Sequence, residues 1–281
     1  MMNQENSEVL KLENVSKVYG VGAVEVRAVD NTDLVVRGGE ILLIMGPSGS
    51  GKTTLITMAG LLLRPSSGSI FIDGEDVGSM PERNRRFLRL HKIGFVFQAF
   101  NLLSNLTALE NVLIPLGLAG VKKDIARKKA QGLLKAFGLS QREDFTPERL
   151  SGGEKQRISI ARSLANDPKL ILADEPTANL DSQRGREVMR LLQAVAKNMG
   201  KTVVVVSHDQ RVMEIADRVM WMEDGRFKNS EDLVVDPNCG TSVEVRSETT
   251  RLDFRGKKYY FCSEACKREY IEKNHIPTSY Y

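Results

Sequence analysis

The segment Gly46-Pro47-Ser48-Gly49-Ser50-Gly51-Lys52-Thr53-Thr54 has the residue types and spacing of a loop that holds a polyphosphate. It fits G-x-x-x-x-G-K followed by Ser or Thr. Its glycines let the loop wind tightly, so that backbone N–H groups and the start of the next helix face anionic oxygens. Lys52 is expected to neutralise the β- and γ-phosphates, and Thr53 to ligate Mg²⁺. A second chemical cluster lies at Leu170-Ile171-Leu172-Ala173-Asp174-Glu175, an apolar run ending in two carboxylates. Buried carboxylates are costly unless a cation or a reacting group meets them. Asp174 suits the outer shell of the metal, and Glu175 suits the general base that polarises an attacking water.

Strands and helices must position these groups. Ile41–Met45, Ile93–Phe97, Leu170–Ala173 and Val203–Ser207 are short apolar runs bounded by Gly, Pro or charged residues. They predict strands covered on both faces, alternating with helices in an α/β sheet over about residues 10–232. A helix is predicted from Lys52. Between Phe100 and Arg149 the sequence becomes leucine-rich and helical, broken at Pro115, Gly120 and Pro147, and reads as an inserted helical subdomain. A polar stretch, Asn229-Ser230-Glu231-Asp232, reads as a linker. The expected domains are therefore 1–232 and 233–281.

The narrower assignment comes from Leu150-Ser151-Gly152-Gly153-Glu154-Lys155-Gln156-Arg157. Ser151 and Glu154 have the spacing of a capping box at a helix start, and the two glycines permit close approach of an anion. The segment resembles the signature of ABC ATPases. The same order of motifs continues with Gln98 after a strand, Ala178-Asn179-Leu180-Asp181 after the carboxylates, and Ser207-His208-Asp209 after another strand. The resemblance covers about residues 8–228. It implies a P-loop NTPase core with an antiparallel β subdomain and the inserted helical subdomain.

By the same resemblance, Gln98 contacts Mg²⁺ and water, His208 contacts the γ-phosphate, and Tyr19 stacks on adenine. Gly46, Ser48, Gly49, Ser50, Gly51, Lys52, Thr53 and Thr54 hold the ATP phosphates. Two subunits are expected to pair head to tail, with Ser151, Gly152, Gly153 and Asp181 of one completing the site of the other. ATP hydrolysis would then drive a separate integral-membrane permease. Residues 21–29 and 173–181 look like those of the macrolide-export and lipoprotein-release class.

Composition limits the alternatives. The apolar runs are far shorter than the roughly 20 residues that span a bilayer, and the N-terminal residues lack the basic and apolar regions of a secretory signal. The chain is expected in the cytoplasm, held at the inner face of the membrane by its permease. With 40 basic and 36 acidic residues interspersed, the net charge of +4 makes no case for nucleic-acid binding.

All three cysteines, Cys239, Cys262 and Cys266, fall in the last 43 residues and mark a separate module. Asp236-Pro237-Asn238-Cys239-Gly240 and Tyr259-Tyr260-Phe261-Cys262-Ser263-Glu264-Ala265-Cys266 resemble a YHS domain, a small α+β module. Strands are predicted near Ser242–Val245 and Lys258–Phe261, joined through a turn at Gly256-Lys257-Lys258, with a helix over Ser263–Glu272. Two readings stay open. Three thiolates could bind Zn²⁺ or Cu⁺, with His275 as a fourth candidate and the ATPase answering to the metal. Alternatively the thiols pack as small hydrophobes.

Overall fold

A computed structural model describes residues 7–20, 25–228, 233–238, 242–244, 249–254, 257–274 and 276–277. The chain forms two units, Met1–Arg226 and Phe227–Tyr281.

The first unit opens with two long strands, β1 (Glu8–Tyr19) and β2 (Val26–Arg37), paired antiparallel. Along them, apolar residues such as Leu10, Leu12, Leu34 and Val36 are buried while charged neighbours face solvent. Such alternation covers one face of a sheet only. β3 (Ile41–Met45) and α1 (Lys52–Ala59) follow, then β4 (Ser67–Ile72) and β5 (Glu75–Asp76), which complete a sheet of order β2-β1-β4-β5. This is the antiparallel subdomain implied by the resemblance.

The second sheet is mostly parallel. After α2 (Glu82–Lys92) and β6 (Ile93–Val96), the helical segment supplies α3 (Ala108–Leu118) and α4 (Lys123–Ala136), and α5 (Gly152–Ser163) follows it. Then come β7 (Leu170–Asp174), α6 (Ser182–Met199), β8 (Thr202–Val206), β9 (Arg218–Glu223) and β10 (Arg226–Lys228), the last at the boundary of the unit. Neighbouring strands run β9-β3-β8-β7-β6, each pair parallel. Every residue of β3, β7 and β8 is buried. Their continuous Val, Ile and Leu runs thus reflect helices on both faces, as expected from the sequence.

Pro115 does not break its helix, contrary to expectation: it lies inside α3. Its missing N–H removes one hydrogen bond near the helix end. Fully buried Leu116 and the Pro115 carbonyl, which accepts from Asn166 Nδ2 at 2.9 Å, hold the turn in place. One core joins these helices to the sheet through Ile41, Leu43, Val112, Leu134, Ile158 and Leu192. Burying each such side chain contributes about 1.5–3 kcal/mol relative to leaving it exposed.

The second unit contains β11 (Leu233–Val235), β12 (Ser242–Glu244), β13 (Arg251–Phe254), β14 (Lys257–Tyr260) and α7 (Glu264–Lys273). The predicted pairing of 242–245 with 258–261 is corrected. β12 pairs with β11, and β14 pairs with β13. β13 and β14 lie only two residues apart in sequence, so closing that loop costs less chain entropy than the longer pairing. Leu252, Phe261, Ile271 and Ile276 form a small buried core. Cys239, His275, Gly256 and the 229–232 linker lie outside the described residues.

Candidate nucleotide site

The phosphate loop leaves the C-terminal end of β3, between the flanking strands β8 and β9. Two glycines are obligatory in it. Gly46 has φ 152° and Gly51 φ 98°, and a Cβ on either would fall 1.9 Å from a carbonyl oxygen, of Met222 and Ala28 respectively. Only glycine admits both the conformation and the approach. Lys52 is buried, and its ammonium donates to the Gly46 carbonyl at 2.8 Å, the Pro47 carbonyl at 2.7 Å and Ser50 Oγ at 3.2 Å. Burial lowers its pKa, and the charges of Glu175 and Asp174 act in the opposite direction.

The carboxylates emerge from the end of β7. Thr53 Oγ1 donates to Asp174 Oδ1 at 3.1 Å, which ties the start of α1 to β7. Burial raises the pKa of Asp174, a tendency the Thr53 hydrogen bond opposes. A hydroxyl and a carboxylate side by side are hard oxygen donors of the kind Mg²⁺ takes. Glu175 then turns away from the strand with φ 45°, its N–H donating to the Val206 carbonyl at 2.9 Å. Left-handed backbone at a glutamate is uncommon and strained, and here it re-aims the carboxylate. Oε1 lies 2.8 Å from His208 Nδ1, and Oε2 accepts from Ser207 Oγ at 3.2 Å.

A cavity of about 560 Å³ gathers residues 48–54 with Gln98, Glu175, His208 and Ala28. Gly46 lies at the base of this loop, and Asp174 lies behind Thr53. The fold thus brings together groups from β2, the β3–α1 loop and the ends of β6, β7 and β8. In open α/β sheets, ligands bind at these carboxyl ends. Tyr19 is not among the lining residues. It stands 43% exposed at the end of β1, with Lys17 Nζ 5.3 Å from its ring centroid.

Ser151, Gly153 and Asp181 line a different cavity, of about 410 Å³, together with Arg157 and Arg184. Gly152 packs beside Leu180, whose Cδ2 would lie 3.2 Å from an added Cβ. The capping box is formed: Ser151 Oγ accepts from Glu154 N–H, and Glu154 Oε2 accepts from Ser151 N–H at 2.8 Å. Arg142 Nε donates to Glu154 Oε1 at 2.7 Å. Burial disfavours the charged glutamate, and the Arg142 and Ser151 hydrogen bonds outweigh it, holding the carboxyl at about 2. Asp181 caps α6 by accepting from the N–H groups of Gln183 and Arg184.

Sequence reasoning missed three supporting residues. Ser207 was visible only as a motif neighbour, yet it holds Glu175. Asn179 Nδ2 donates to the Gln98 carbonyl at 2.9 Å, linking two motifs separated by 81 residues. Arg162, partly buried on α5, donates to the Phe100 and Asn101 carbonyls and so fixes the chain beyond Gln98. An arginine on a helix carries no sequence signal for such a role.

A phosphate loop, two strand-end carboxylates, a strand-end histidine and a glycine-bearing capped helix on this two-sheet architecture define an ABC ATPase. The chain belongs to the ABC transporter family, whose profile, described as "ABC transporter", matches residues 29–178. It is an ATPase that binds ATP and Mg²⁺. It is 44% identical over 219 residues to the lipoprotein-releasing system ATP-binding protein LolD of Hyphomonas neptunium, covering 78% of this chain and 96% of that protein. It is 42% identical over 251 residues to the macrolide export ATP-binding/permease protein MacB of Syntrophobacter fumaroxidans, covering 88% of this chain and 35% of MacB. Among solved structures, it resembles the dimeric post-hydrolysis state of the cassette MJ0796 bound to ADP and Pi. That similarity has a TM-score of 0.73 and 39% identity, covering 85% of this chain and 99% of the other. MJ0796 comes from Methanocaldococcus jannaschii.

Proposed function

We propose that this chain is the ATP-hydrolysing half of a head-to-tail dimer that drives a separate permease of the lipoprotein-release or macrolide-export type. The observation that carries the reading is the joint placement of Lys52, Thr53, Gln98, Glu175 and His208 around one cavity. Similarity to LolD and MacB supports the subclass.

In this mechanism the backbone of residues 48–54 and the Lys52 ammonium hold the phosphates. Thr53, Asp174 and Gln98 hold Mg²⁺, which supplies charge neutralisation when bound. Glu175 takes the proton of the attacking water, with His208 and Ser207 fixing the orientation of its carboxylate. His208 also contacts the γ-phosphate, and Tyr19 stacks on adenine. Ser151, Gly152, Gly153 and Asp181 face the partner's nucleotide; Ser151, Gly153 and Asp181 line a cavity separate from their own phosphate loop, which supports this role. Dimer closure assembles the site and hydrolysis releases it, and Gln98 passes that movement to the permease.

No helix among the described residues is long and apolar enough to cross a membrane. In the proposed reading the membrane component is a separate protein, as the similarity to the LolD ATP-binding protein supports, and the chain sits peripherally on the inner face of the cell membrane. Affinity isolation from membranes of the source cell tests this: a stoichiometric polytopic protein is expected. Recovery on ribosomes or DNA instead would overturn the reading.

A second reading makes the ATPase answer to a soft metal ion through its C-terminal unit. The clustering of Asp236, Cys262 and Cys266 favours it. Steady-state turnover measured across a Zn²⁺ titration tests it, and an unchanged rate at saturating metal removes the regulation.

A further inference from the structure

In the second unit, three ligand-bearing side chains converge. Asp236, Cys262 and Cys266 each present one ligand atom, all within 4.8 Å of one another. Cys262 Sγ and Cys266 Sγ lie 3.4 Å apart. The sequence pattern singles out the cysteines. Asp236 carries no such signal.

Local structure explains the convergence. Asp236 follows β11 at a turn, where its Oδ1 accepts from Asn238 N–H at 2.8 Å. Its Oδ2 accepts from Cys262 N–H, also at 2.8 Å, tying together segments 26 residues apart. Phe261, 1% exposed, anchors the chain just before Cys262 in the small core. Ser263 caps α7, its Oγ accepting from Cys266 N–H at 3.2 Å, and so sets Cys266 one turn beyond Cys262.

The carboxylate of Asp236 is fully buried, Cys262 is exposed and Cys266 is partly buried. The cluster is closed behind the carboxylate and open at the thiols, which gives an ion an entry path. The N–H bonds from Asn238 and Cys262 fix the carboxylate as outer-shell hydrogen bonds fix metal ligands.

We propose that Asp236, Cys262 and Cys266 bind a divalent ion of the Zn²⁺ type through one carboxylate oxygen and two thiolates. The donor set selects the ion: Mg²⁺ and Ca²⁺ take oxygen alone, Cu⁺ favours all-sulfur sites, and Zn²⁺ accepts both donors. Zn²⁺ holds these atoms at about 2.0–2.3 Å, so a side-chain shift of about 1 Å closes the set. The assignment shares only metal binding with the second reading above, and it stands whether or not turnover responds.

The full chain, reduced and free of nucleotide, is titrated with Co²⁺ as a spectroscopic stand-in and then with Zn²⁺. Sulfur-to-cobalt absorption is expected at one ion per chain, displaced by Zn²⁺. The nucleotide site contains no sulfur, so that band reports the cysteines alone. Cys262→Ser and Cys266→Ser should each weaken Zn²⁺ binding more than ~10-fold, and Asp236→Asn by ~10–100-fold while keeping the band. A reduced wild-type chain that shows no band and takes up no Zn²⁺ overturns the site, a result that needs no variant to fold. Asp236→Asn with unchanged affinity and spectrum removes the carboxylate. Either failure is separate from a flat turnover curve, which would remove regulation only.

Discussion

His208 Nδ1 stands 2.8 Å from Glu175 Oε1, although the two residues leave different strands and lie 33 positions apart in sequence. The β7–β8 pairing makes this possible, because Asp174 is in register with Val206 and the next residues of each strand meet above the sheet. This contact and the Ser207 hydrogen bond together hold the Glu175 carboxylate at the edge of the cavity. Glu175→Gln is expected to lower turnover by ~10²–10⁴-fold, the usual contribution of a general base. ATP binding should persist, and the ATP-bound dimer should accumulate on gel filtration. Turnover within a few-fold of wild type would remove Glu175 as the base.

Ser207 supplies the other hydrogen bond to that carboxylate, at 3.2 Å. Ser207→Ala keeps the base and removes one of its two side-chain contacts. A residue acting through another should change the chemical step more than binding. The expectation is kcat lowered about 10-fold with KM for ATP nearly unchanged. A matching rise in KM would mean that the hydroxyl serves nucleotide binding instead.

Glu154 links the capping box of α5 to Arg142, and its carboxyl titrates at about 2 against an ordinary value of 4.5. A depressed folded-state pKa stabilises the fold above the unfolded-state value and loses that contribution as pH falls through the folded-state one. Glu154→Gln keeps the capping geometry and abolishes the charge. At neutral pH it should cost about 1 kcal/mol. Between pH about 4.5 and about 2, wild-type stability should fall more steeply than that of the variant, as read from urea midpoints. Parallel curves would contradict this.

The strands that position the chemistry were legible because β3, β7 and β8 are buried on both faces and therefore read as unbroken apolar runs. Loop and carboxylate motifs were legible because phosphate and metal demand fixed residue types at fixed spacing. What stayed hidden was long-range: Asn179 reaching the Gln98 carbonyl, Arg162 holding 100 and 101, and Asp236 turning toward two cysteines. No local pattern encodes a partner 26 or more residues away. Pro115 misled because intrinsic propensity gave way to the packing of Leu116.

Gly51 shows how tightly the loop is held, since a Cβ there would lie 1.9 Å from the Ala28 carbonyl oxygen. Neither atom can move without shifting β2 or the start of α1. Gly51→Ala is expected to destabilise the fold by more than ~3 kcal/mol, combining backbone strain with steric overlap. Thermal unfolding should show a lower midpoint, and protection by ATP should be lost. Gly39, with φ 76° and nothing within 4 Å of its added Cβ, is the control for positive φ without collision. Equal losses at both positions would mean that the contact with Ala28 adds nothing.

Ser151 and Lys52 line separate cavities of the same unit, so a composite site needs two chains. Lys52→Ala should remove phosphate binding and leave the signature face intact, whereas Ser151→Arg should do the reverse. Each variant alone is expected to be inactive. In a heterodimer, the phosphate loop of the Ser151→Arg subunit meets the intact signature face of the Lys52→Ala subunit, which regenerates one complete site. Random pairing of equal amounts makes half the dimers mixed, so independent sites would restore about a quarter of wild-type turnover. Recovery above both parents supports completion across the dimer. No recovery, with mixed dimers verified by mass spectrometry, would mean that each chain's site works with its own signature residues or that both sites must fire together; single-turnover hydrolysis by the mixed dimer separates these, since coupled sites still give one round.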